Sequence, residues 1–136
     1  MLRGYEGWNA AVYHAESSDT LKAVDEKARN FGVNTVLDAT MKLEASSVMR
    51  MADCKSAGYD VEGYYMYAAP EEAAARLMSR YGWGGTSGRS VPSEIILGNT
   101  NNEKNFDKLS SGFRKWAVYD NNTLGQKPKL VSKSDD

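Results

Sequence analysis

The 136 residues, 41% apolar and 26% charged, describe one globular domain long enough to bury a core. A net charge of −1 gives no electrostatic basis for binding nucleic acid or a membrane surface, and no apolar run reaches the ~18 residues of a membrane span. One cysteine excludes an internal disulfide, and with only one histidine beside it no zinc site is expected.

The N-terminus has no apolar block of the signal-peptide kind, so a cytoplasmic location is expected. Residues 1–16 carry aromatics and glycines without a period and read as a packed loop closed by His14 and Glu16. A lone histidine there is read as a structural group rather than a catalyst. Ser17 or Ser18 is the expected N-cap of a first helix, with Asp19 in its first turn. Leu21, Val24, Ala28 and Phe31 recur at spacings of three and four, an apolar stripe expected to face inward, and Gly32 ends the helix.

Val33–Leu37 (VNTVL) is a β-branched run and predicts a strand leading into Asp38-Ala39-Thr40. A carboxylate and a hydroxyl at the carboxyl end of a strand stand where open α/β sheets place their chemistry. Asp38 could equally cap the next helix. That helix is expected over 42–57, with Leu43, Val48, Met51, Ala52 and Cys54 inward and Gly58 as its stop. Asp60–Ala68 (DVEGYYMYA) predicts a second strand, in which Gly63 implies close packing or a bulge.

Residues 70–92, PEEAAARLMSRYGWGGTSGRSVP, organise the rest. Pro70 suits the first helical position, and Glu71 and Glu72 suit the positive end of the helix dipole. Arg76 and Arg80 share one face, Gly82 breaks the helix, and glycines at 84, 85 and 88 lead to Arg89. Three guanidinium groups, two on a rigid face and one on a mobile loop, suit a lid that clamps phosphate oxygens; the alternative is a set of solvated arginines. Ser93–Leu97 reads as a short helix start or turn, and 99–105 as a polar loop or helix entry. Phe106, Leu109 and Phe113 form a further helical stripe, Trp116–Tyr119 a third strand, Asp120-Asn121-Asn122 a turn, and Leu130-Val131 a short edge strand beyond Pro128, within a 128–136 tail expected to fray. The alternation of helices and strands predicts an α/β fold, a single domain over 1–136 built on a parallel sheet with right-handed crossovers.

The sequence contains no G-x-x-x-x-G-K-[ST], no G-x-G-x-x-G, since Ser87 stands at the last glycine, and no G-x-S-x-G. The ordered segments VNTVLDATMK, GYDVEGYYMYAAPEEAAARLMSRY, GRSVPSE and YDNN, with GWNAAVYHAESS ahead of them, nevertheless resemble the zeta-toxin family of P-loop kinases over most of residues 5–122. The resemblance implies a three-layer, adenylate-kinase-like parallel sheet and a kinase using ATP and Mg²⁺. It also implies UDP-N-acetylglucosamine as the phosphoryl acceptor and an antitoxin as partner. Carried over by position, Arg76 and Arg89 match the lid arginines that bind ATP phosphates and stabilise the transferring group, with Arg80 beside them. Asp38 and Thr40 match an acidic residue and a threonine on the substrate side, and Glu16 and Ser17 fall in a segment that contacts the sugar nucleotide. The family's first strand, Walker A loop and proton-accepting acidic residue precede all these motifs. The resemblance therefore implies that they are missing here, that the chain alone binds ATP poorly and is nearly inactive, and that an unpaired sheet edge invites self-association. A non-catalytic binding module on the same fold, and a kinase of another small hydroxyl substrate, are the alternative functions.

Overall fold

A computed structural model describes residues 14–82, 96–98 and 100–135. Seven elements follow in order: α1 (His14–Asn30), α2 (Glu44–Ser56), β1 (Glu62–Tyr67), α3 (Pro70–Gly82), α4 (Asn102–Ser110), β2 (Lys115–Asp120) and β3 (Lys129–Lys133). The chain falls into two compact units, one holding α1 and α3 beyond Pro70, the other Leu37–Pro70 with Asn99–Asp136. None of the helices among the described residues is long and apolar enough to cross a membrane.

In the first unit, α1 begins at His14, so Ser17 and Ser18 lie inside the helix rather than capping it. Its last turn closes on Gly32 at φ 66°, with Gly32 N donating to Arg29 O at 3.0 Å and Val33 N to Ala28 O at 3.1 Å. This paired closure needs a left-handed residue, which is why glycine stands there. The expected inward stripe is instead open: Leu21, Val24 and Phe31 are exposed, Phe31 to 77%. The period is right, but nothing among the described residues covers it. Pro70 starts α3 and Glu71 and Glu72 occupy its first turn, as their dipole preferences require.

The second unit carries the sheet, in the order β1-β2-β3. β1 and β2 are parallel, with Gly63 opposite Trp116 and Tyr65 opposite Val118. β3 runs antiparallel to β2, with an irregularity between Val118 and Tyr119. The sheet is therefore mixed rather than wholly parallel. The connection through 121–128 is too short for a crossover and can only return the chain as a hairpin. The tail expected to fray is tied in as far as Ser134, whose N–H donates to Trp116 O at 2.9 Å.

VNTVL is not a strand. Residues 33–43 are irregular, and Val36 is 101% exposed. A β-branched run becomes a strand only where another strand pairs with it, and among the described residues the sheet is β1-β2-β3, with no strand formed by 33–37. α2 also departs from expectation: none of its side chains is buried, Val48 and Ala52 are exposed, as is Leu43 just before the helix, and Met51 and Cys54 are only half-buried.

The core is small and centred on α4. Phe106, 1% exposed, stacks on Tyr65 at 5.3 Å, meets Phe113 at 5.4 Å and takes Trp116 edge-on at 6.5 Å. Leu109 and Ala117 are buried with it. Gly63 is required by close approach, since a Cβ there would lie 2.4 Å from the Phe113 ring. Phe106 lies against mid-β1 and the later Phe113 against its start, so α4 runs antiparallel to the parallel strands. Its first turns lie toward their carboxyl ends.

Candidate functional site

The carboxyl ends of β1 and β2 are laced together. Asn121 N donates to Tyr67 O at 2.8 Å, Asn122 N to Asp120 Oδ1 at 2.8 Å, and Ala69 N to Asn122 Oδ1 at 2.7 Å. The Asp-Asn-Asn turn thus fastens the end of one strand to the residue just before α3, a bracing in which Asn122 serves both as turn residue and as acceptor.

The 38–43 segment arrives at the same end of the sheet. Asn105, on α4 and 5% exposed, donates its side-chain amide to Met41 O at 2.8 Å and Lys42 O at 3.2 Å. Met41 has φ 54°, the one left-handed non-glycine residue among those described. That conformation costs an L-residue on the order of 1 kcal/mol and persists only where the surroundings impose it. Lys108 Nζ meets Glu44 Oε2 at 2.6 Å, a second tie from α4 to the start of α2. Asp38 and Thr40 are exposed on this segment. Asp38 does not cap α2, because the N-cap is Leu43. Sequence reasoning passed over Met41 and Asn105; the one available signal was an asparagine on the apolar face of α4, beside Phe106.

In the other unit, Arg76 lies on α3 with its side chain 17% exposed, its Nε donating to Glu72 Oε1 at 2.8 Å. Spacing of four on a helix brings these two groups together. Glu72 fixes the orientation of the guanidinium. Arg80 belongs to the same helix, and Arg89 lies outside the described residues, as do the loop glycines beyond Gly82. Glu16 and Ser17 are exposed in the first turns of α1, where the Glu16 carbonyl accepts from Thr20 Oγ1 at 2.9 Å. Arg76, Glu16 and Ser17 belong to one unit, and Asp38 and Thr40 to the other.

A partly buried, pre-oriented guanidinium suits the phosphates of ATP in charge and geometry. Among the described residues no group of three acidic, histidine or cysteine side chains could hold a metal by itself; Mg²⁺ that travels with ATP takes most of its ligands from phosphate oxygens and water. A shallow cleft of about 530 Å³ opens at the amino ends of β1 and β2. It is lined by Lys55, Asp60, Gly112 and Arg114 among others, with Arg114 paired to Asp60 at 3.0 Å.

No curated protein and no solved structure matches the chain at a significant level. The sequence profile of the family described as Zeta toxin matches residues 2–124. That span includes the Asp38-Ala39-Thr40 segment, the α3 arginines and the Asp-Asn-Asn turn, and on it the chain belongs to the zeta toxin family.

Proposed function

We propose that the chain forms the lid and acceptor side of a zeta-toxin-like kinase that transfers the γ-phosphoryl group of ATP to a sugar-nucleotide hydroxyl, UDP-N-acetylglucosamine being the favoured acceptor. The observation that carries this reading is the family match over residues 2–124, a family that is P-loop kinase-like. ATP supplies the phosphoryl group. Arg76, held by Glu72, neutralises charge on the phosphate oxygens as it builds in the transition state, and Arg80 and Arg89 add to the clamp. The Thr40 hydroxyl and Asp38 carboxylate receive the acceptor's hydroxyls and orient the attacking one.

The toxin acts in the cytoplasm under restraint by an antitoxin. Its phosphate cradle comes from a Walker A segment, a motif this sequence does not contain. The absence of that motif is also what favours a second reading, a binding module without catalysis.

The test supplies a Walker A-bearing segment of the family on a separate polypeptide and follows ADP release with a panel of hydroxyl acceptors. Release stimulated by UDP-N-acetylglucosamine above the other acceptors is expected. Arg76→Ala and Arg89→Ala should each lower the rate by on the order of 10³-fold. Stimulation by a different acceptor would replace the substrate. No stimulated release by any acceptor, with both polypeptides folded, would leave the binding module standing.

A further inference from the structure

We infer that Asn105 is a positioning residue: it locks the left-handed turn at Met41 and thereby aims the Asp38-Ala39-Thr40 segment at the acceptor. The inference rests on the acceptor role proposed for that segment. Its basis is where the two hydrogen bonds fall. Rotation about the N–Cα bond of Met41 carries with it every atom downstream, including the Met41 and Lys42 carbonyl oxygens. Both of those oxygens are gripped by one buried amide, at 2.8 and 3.2 Å. The grip therefore fixes the sign of φ at Met41, and with it the direction in which residues 38–40 leave the anchored start of α2.

An ordinary negative φ would swing both carbonyls off the amide and leave a side chain that is 5% exposed with unpaired donors. The Lys108–Glu44 pair at 2.6 Å is a separate tie between α4 and the first residue of α2 that does not involve Asn105. This is not helix capping. A helix N-terminus needs acceptors for its N–H groups, whereas Asn105 supplies donors to carbonyls that precede the helix.

The experiment combines carbon chemical shifts with binding of UDP-N-acetylglucosamine to the full chain by calorimetry. In the wild type, the Met41 Cα and Cβ shifts should report a left-handed residue. In Asn105→Ala they should move to extended values while those of Ala117 in the sheet stay in place. The dissociation constant for the sugar nucleotide should rise about tenfold or more, since a loop displaced by an ångström loses much of its complementarity.

Met41→Val approaches the same point while leaving the Asn105 amide in place. A β-branched residue is poorly tolerated at positive φ, so this variant should lose affinity to a similar extent, whereas Met41→Gly should bind like the wild type. Wild-type Met41 shifts typical of an extended residue would overturn the lock. Unaltered affinity in Asn105→Ala with Met41 shifted, or in Met41→Val, would overturn the positioning role. If Asn105→Ala does not fold, the Met41 pair decides. If the wild type binds no sugar nucleotide, the acceptor reading falls and the positioning role with it, while the shifts still decide whether Asn105 sets the backbone of Met41.

Discussion

Gly63 and Phe113 show how little slack the core has. A methyl group at position 63 would sit 2.4 to 2.8 Å from three carbons of the Phe113 ring, which also packs against Phe106 at 5.4 Å, so the ring must shift to admit it. Gly63→Ala should therefore destabilise the sheet-bearing unit by about 1–3 kcal/mol, read as a lower denaturant midpoint at unchanged slope. Tyr65 gives a second prediction. Burial pushes its phenol above the ordinary 10.0, with the acidic Glu103 and Asp107 on α4 adding to the effect. The unfolded chain thus releases this proton before the folded one. Tyr65 stabilises fully below pH 10, and that contribution is lost as pH rises through the raised value. Tyr65→Phe should flatten the alkaline limb of a stability–pH curve and leave the neutral region little changed. Of these residues, Gly63 was legible in the sequence, because a glycine inside an aromatic strand has few reasons to be there. The role of Asn105 was not, because its partner at Met41 is 64 positions away and its place on the apolar face of a short helix marks it as buried without saying what it holds.

Among the elements, β1, β2 and α3 were legible because each carries its own signal: a β-rich aromatic run in the strands, and proline with two acidic residues at the helix start. VNTVL carried the same strand signal and failed, since strand formation depends on a neighbour that no local pattern encodes. The sheet's mixed direction was open to the same arithmetic that explains it, the short connection before Lys129. At the candidate site the sequence offers Asp38 and Thr40 as candidates by residue type alone, while the backbone turn beside them depends on a tertiary contact that no local pattern encodes. Gly32 offers an element-scale test. Gly32→Ala puts a Cβ on a left-handed residue with open space around it, so the cost is conformational alone, about 1 kcal/mol. Circular dichroism should show α1 fraying from its carboxyl end at a lower temperature than in the wild type.

Among the described residues, burial is concentrated on α4 and the paired strands β1 and β2, while α1 and α2 expose much of their apolar surface. Hydrogen exchange should follow that distribution, with the slowest amides in β1, β2 and α4 and much faster exchange along α1 and α2. Equal protection along all of these elements would contradict it. The two flanks of the sheet also differ. Every residue of β3 is exposed, it carries Lys129 and Lys133, and its ladder is interrupted opposite Val118 and Tyr119; β1, at the other flank of the sheet among the described residues, is Glu-Gly-Tyr-Tyr-Met-Tyr with a single charge. Lysines and irregular pairing deter a foreign strand, whereas an aromatic flank admits one. If two molecules meet through their β1 flanks, each then offers the next arrival only its lysine-bearing side, so such association is self-limiting: it ends in a closed pair instead of elongating into a fibre.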